Sequence, residues 1–136
     1  MKRKTISKKE REAVFQKYDG HCAYCGKVLE YKEMQVDHLI PYQRERFGRY
    51  TEDEIWCFKN YMPSCRRCNH YKRAHNLETF RRYIAEIPKK LSDLYIFKVG
   101  LDYHLCGTNE HQIVFYFETI ERTKYLKEHT EFFEDN

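Results

Sequence analysis

Apolar positions recur along this chain at two different periods. Near the start, Ala13, Val14, Phe15 and Tyr18 make a helical stripe. Ser7-Lys8-Lys9-Glu10 precedes it in the Ser-x-x-Glu form of a capping box, in which side chain and backbone satisfy each other at the helix start. Asp19-Gly20 supplies the stop, so a helix is predicted over residues 8–18. From Met34 to Ile40 the period shortens to two, which predicts a strand ended by Pro41. Asn60 to Ser64 predicts a second short strand. A helical pattern returns from Arg66 to about His75. Another opens at Asn76, with Leu77, Phe80, Ile84 and Ile87 at helical spacing until Pro88 interrupts them. Leu91, Leu94 and Tyr95 predict a further helix ending near Gly100. Residues 113–117 (IVFYF) are a dense β-forming run and predict one more strand. Residues 120–129 predict a last helix. Residues 42–59 form a long charged and aromatic loop with a helical turn at 51–56, and a loop of that length inside a small domain usually has a function. The expected fold class is α+β.

Composition narrows the choices. The chain has 136 residues, 41% hydrophobic and 16% aromatic, which excludes a wholly disordered chain. The expected organisation is a core at residues 1–76 and an extension at residues 77–136 packed on it. No stretch approaches the roughly 18 apolar residues of a membrane span. Residues 1–12 are basic and polar, without an apolar signal segment, and the expected location is cytoplasmic. The net charge of +4 is unevenly spread: residues 1–76 hold 17 Lys/Arg against 10 Asp/Glu, a balance of +7, and residues 77–136 hold 8 against 11, a balance of −3. The front half is the face for a polyanion.

Four of the six cysteines form two C-x-x-C pairs, Cys22/Cys25 and Cys65/Cys68. Each pair can chelate from one turn, and together they supply the four thiolates that tetrahedral zinc prefers. Gly26 gives the first knuckle the freedom to turn its amides toward sulfur. The expected cofactor is one structural Zn²⁺ with no open coordination position. Between the pairs lie 39 residues, more than a compact zinc ribbon contains. Cys57 and Cys106 lack a partner spacing and are expected as buried small hydrophobes.

The insert between the pairs carries oxygen and nitrogen chemistry. Val36-Asp37-His38-Leu39-Ile40-Pro41, then Asn60, then Cys65-Arg66-Arg67-Cys68-Asn69-His70-Tyr71-Lys72, in that order, resembles the HNH endonuclease family over about residues 20–76. The resemblance implies a ββα-metal core, a hairpin and helix gripping a divalent ion. It also implies roles: Asp37 and Asn69 as ligands of a catalytic Mg²⁺ or Mn²⁺, His38 as general base, Asn60 as the brace of the loop. Asn69 stands where the family usually has histidine, which makes this an HNN variant and favours a hard, oxygen-ligated ion. Arg73 stands where some relatives add a further histidine, so two protein ligands and several waters are expected. The segment around Phe115-Tyr116-Phe117-Glu118 is similar to small phage and prophage HNH proteins.

The implied substrate is DNA, expected as a duplex. Arg66, Arg67, Lys72 and Arg73 cluster on the site helix and are candidate phosphate contacts. Arg44, Arg46 and Arg49, interleaved with Tyr42, Phe47 and Tyr50, are candidates to track a strand, and Lys2, Arg3 and Lys4 a basic arm. His70 points about 100° from Asn69 on a helix and is read as a surface or phosphate-contacting residue. Phe80, Tyr83, Phe97, Phe115 and Phe117 are read as core. Two other functions compete: a zinc-stabilised nucleic-acid-binding module without catalysis, and an accessory nuclease dependent on a partner in phage packaging or defence.

Overall fold

The structure, a computed structural model, describes residues 3–42 and 49–128. Helix α1 (Lys8–Gln16) carries the capping box: Ser7 Oγ accepts from the Glu10 amide, and the Glu10 carboxylate accepts from the Ser7 amide. It ends where Asp19 and Gly20 adopt positive φ, and Val14 and Tyr18 enter the core. Strand β1 (Gln35–His38) follows a 3-10 turn at Tyr31–Glu33. Helix α2 (Glu52–Ile55) has its own capping box, Thr51 with Glu54, and buries Ile55. A second 3-10 turn, Phe58–Asn60, leads into strand β2 (Tyr61–Ser64), and helix α3 (Arg66–Lys72) follows at once.

β1 and β2 pair antiparallel, with Gln35 opposite Ser64, Val36 opposite Pro63, Asp37 opposite Met62 and His38 opposite Tyr61. A proline is tolerated at position 63 because it sits on the outward side of the ladder. Its carbonyl turns away from β1 and accepts from the Ala23 amide at 2.8 Å. β2 therefore lies between β1 and the first cysteine knuckle, and all four of its residues are buried. α3 is shorter than its sequence pattern predicts: Arg73 takes φ 52°, which stops the helix at Lys72.

The chain divides into two compact units. The first is Met1–Asn76 together with Val114–Asn136, and the second is Leu77–Ile113. In the first unit the C-terminal segment returns to the knuckle. The amides of Tyr116 and Phe117 donate to the carbonyls of Tyr24 and Ala23, at 3.1 and 2.8 Å. The strand expected at residues 113–117 is not formed. Helix α7 (Tyr116–Glu128) begins inside that run, and Phe115 and Phe117 are driven into the core beside Tyr24. Burial of aromatic area overrides β propensity here.

The second unit consists of α4 (Leu77–Ala85), α5 (Ile87–Ser92) and α6 (Tyr95–Asp102). Pro88 lies in the first turn of α5, where it lacks no needed donor, so it starts a helix as well as ending the previous run. Phe80 is buried. Arg81 bridges Glu78 and the carbonyl of Ile113. Tyr83 and Phe97 are only partly covered. Cys57 is half-buried and Cys106 exposed, which corrects the expectation of two buried thiols. No helix among the described residues is long and apolar enough to cross a membrane.

Candidate metal centre and basic cleft

The two knuckles converge. The sulfurs of Cys22, Cys25, Cys65 and Cys68 all lie within 4.8 Å of one another. Thiolates bound at about 2.3 Å around a tetrahedral ion stand about 3.8 Å apart, and Cys25 Sγ lies 3.9 Å from Cys65 Sγ. The donor set fits a thiophilic ion. Local backbone already points at sulfur: the Cys65 amide donates to Cys22 Sγ and the Cys68 amide to Cys65 Sγ, each at 3.3 Å. Cys65 thus caps α3 with its side chain. A hydrogen bond from Cys68 pulls the Cys22 thiol down to about 4, and the same bond pushes Cys68 up. Four sulfurs crowded this closely form a site that a cation relieves.

The second site grows from the face that β1 turns to α3. Alternation puts Gln35 and Asp37 on that face, and Asn69 and Lys72, three residues apart, on the matching helix face. Two rungs join them. Asn69 Nδ2 donates to Gln35 Oε1. Lys72 Nζ donates to Asp37 Oδ2 at 3.0 Å and to the carbonyl of His38 at 3.0 Å. Tyr24 Oη donates to the same Asp37 oxygen at 2.5 Å. Burial raises the Asp37 carboxyl, and Lys72 and Tyr24 oppose that rise.

His38 lies on the other face of β1, among rings. The centroids of Trp56, Tyr61 and Tyr42 stand 4.5, 5.3 and 5.7 Å from the imidazole, all edge-on. Its Nε2 is, among the described residues, the one buried side-chain nitrogen or oxygen with no hydrogen-bond partner. Burial, then the charges of Lys72 and Arg3, lower its pKa to about 4, so it is a neutral base at physiological pH. Asn60, 5% exposed, spends its amide on the loop: Oδ1 accepts from the Ile40 amide, and Nδ2 donates to the carbonyls of Ile40 and Ile55.

Although Asp37 and His38 point to opposite faces, both line one cleft of about 890 Å³. Asn69 lines it too, and its other walls include Arg3, Lys4, Arg11, His70 and Arg73. Asn60 stays behind the wall, as a buried brace. Arg66 and Arg67 are exposed on α3, and Arg73 is exposed just past its end. Lys72 is not: it is fully buried, so its ammonium cannot reach a phosphate, and the expectation of a DNA contact there is corrected. Lys4 is tied to Glu52. Lys2, Arg44, Arg46 and Phe47 lie outside the described residues. Gln35, Tyr24 and Trp56 were not singled out by their sequence context. The signal for Gln35 was present, two residues before Asp37 on the same strand face.

Residues 22–75 match the family model for HNH endonuclease. No curated protein matches. Among solved structures, the crystal structure of the Type II-C Cas9 enzyme from Actinomyces naeslundii aligns at 20% identity and a TM-score of 0.46. The alignment covers 80% of this chain and 12% of that one, so the chain spans about an eighth of that protein's length. Residues 22–75, the span that matches the HNH endonuclease family model, contain two antiparallel strands between the cysteine knuckles and a helix that starts within the second knuckle.

Proposed function

We propose that this chain is a divalent-metal-dependent DNA endonuclease that hydrolyses phosphodiester bonds, nicking or cutting a duplex. The observation that carries the reading is His38: a neutral imidazole with an unpartnered buried nitrogen, on the wall of a cationic cleft beside Asp37. Buried polar groups are normally satisfied, and exceptions concentrate where chemistry is done. In the reaction, the neutral imidazole of His38 accepts the proton of the attacking water. The Asp37 carboxylate and the Asn69 amide oxygen would hold a Mg²⁺ or Mn²⁺ ion, an oxygen donor set that suits a hard cation keeping several waters. When bound, that ion supplies positive charge to the phosphate and the departing oxygen. Arg73 in the cleft wall, with Arg66 and Arg67 on exposed turns of α3, position flanking phosphates. Asn60 keeps the loop after His38 in place. The four cysteines hold Zn²⁺ as a structural ion.

A plasmid-relaxation assay with Mg²⁺ or Mn²⁺ tests this. Native protein should nick or linearise the plasmid. His38→Ala should lose at least a hundredfold in rate, the loss expected of a general base, while keeping its zinc and its DNA affinity. Equal cleavage by the variant removes His38 from the mechanism. DNA binding without any metal-dependent cleavage by the native chain would make it a binding module.

A further inference from the structure

We propose that Tyr24 is a positioning residue for the cleft. Its hydroxyl and Lys72 Nζ clamp one oxygen of Asp37 and so set the carboxylate that a divalent ion meets, which joins the cysteine knuckle to the reacting centre. The proposal rests on the reading of Asp37 as a ligand of that ion.

The clamp is built, not incidental. Tyr24 stands between Cys22 and Cys25, so the fold of the knuckle fixes its backbone. Its neighbour Ala23 donates to Pro63 of β2 at 2.8 Å, and the carbonyls of Ala23 and Tyr24 accept from Phe117 and Tyr116. Its ring is 3% exposed and meets Phe115 and Phe117 edge-on, with centroids 5.6 and 6.3 Å away. Packing alone would be served by phenylalanine. A buried hydroxyl costs stability unless it is bonded, and this one is spent on Asp37 Oδ2. Lys72 Nζ reaches that oxygen from the opposite element, α3. Two donors from two elements converge on one carboxylate oxygen, which restrains rotation of the group. Partners behind a metal ligand commonly change metal affinity or activity 10–100-fold when removed.

The test uses the full chain loaded at its cysteines, with Mn²⁺ binding followed by the loss of the free-ion electron paramagnetic resonance signal. Tyr24→Phe keeps the ring. It should retain the thiolate-bound ion and most of the thermal stability, yet weaken Mn²⁺ binding about tenfold or more. Phe117→Leu loosens the same cluster but leaves the hydroxyl; it should lower Tm and keep Mn²⁺ affinity within about twofold of native. Asp37→Asn should lose Mn²⁺ binding. Native Mn²⁺ affinity in Tyr24→Phe, with Asp37→Asn defective, overturns the clamp and leaves the ligand reading standing. Equal weakening in Phe117→Leu also overturns it, because the effect would then be packing. Native affinity in Asp37→Asn overturns the ligand reading and the clamp with it.

Discussion

Lys72 carries its ammonium to a point with no access to solvent, bonded to Asp37 and to the end of β1. Burial among Trp56, Tyr61 and Tyr42 lowers the tendency of His38 to take a proton, and a cation so placed lowers it further. A value of about 4 against the usual 6.5 has two consequences. The imidazole is neutral across the physiological range, and in the mechanism proposed above kcat/KM reports the free-enzyme group. Its acid limb should therefore lie well below 6.5, with a flat profile from about pH 8 to 5.5. A limb centred at 6 to 7 in steady-state cleavage would contradict the burial of His38. Stability follows the same sign. The unfolded chain binds this proton more tightly, so the contribution is complete above 6.5 and is lost as pH falls toward 4. At this scale the sequence revealed residue types and hid their environments. Lys72 in a basic run looks like a surface cation. Only the register of α3 against β1 shows that it points inward.

Among the elements, the knuckle and the returning C-terminal segment depend on each other. Gly26 takes φ +79°, and a Cβ there would lie 2.9 Å from Tyr116 Cδ2. Tyr116 in turn stacks on His21, with centroids 5.1 Å apart. Gly26→Ala combines a disfavoured backbone with a clash and should destabilise the protein by about 1–3 kcal/mol. Heat or urea unfolding measures it, and an unchanged midpoint would show that the segment yields without loss. The capping box of α1 was legible in the sequence because its two partners lie three residues apart; that of α2, equally local, was read only as a helical turn. The strand at β1 was legible from the alternation of residues 34–40, though the strand formed is the shorter Gln35–His38. The start of α7 was not. IVFYF favours a strand by local preference, and its conformation is decided by carbonyls of Ala23 and Tyr24, about ninety residues away.

For the molecule as a whole, the first unit has a thin core around a two-stranded sheet, and its two halves meet at the sulfurs. Removing a thiolate-bound ion should therefore unfold residues 20–76, because metal binding in such a domain is folding energy. A thiol-competing chelator, followed by hydrogen exchange across the chain, checks this. Retained protection in β1, β2 and α3 of the stripped protein would contradict it. The spacing of the cysteines made the ion site readable from sequence. The division into units was not readable, because residues 114–136 join the first unit across 37 intervening residues.

The long gap between the knuckles has a further meaning. An ion joining Cys25 to Cys65 closes a loop of 39 residues that contains Asp37, His38 and Asn60. A covalent cross-link over a loop of that length removes about 4 kcal/mol of chain entropy from the unfolded state. A loop-closing ion would thus act as a licence. If Asp37 and His38 do the chemistry proposed above, a newly made chain that has not met its metal would hold them on an open tether, and metal supply, as much as synthesis, would set the moment of competence.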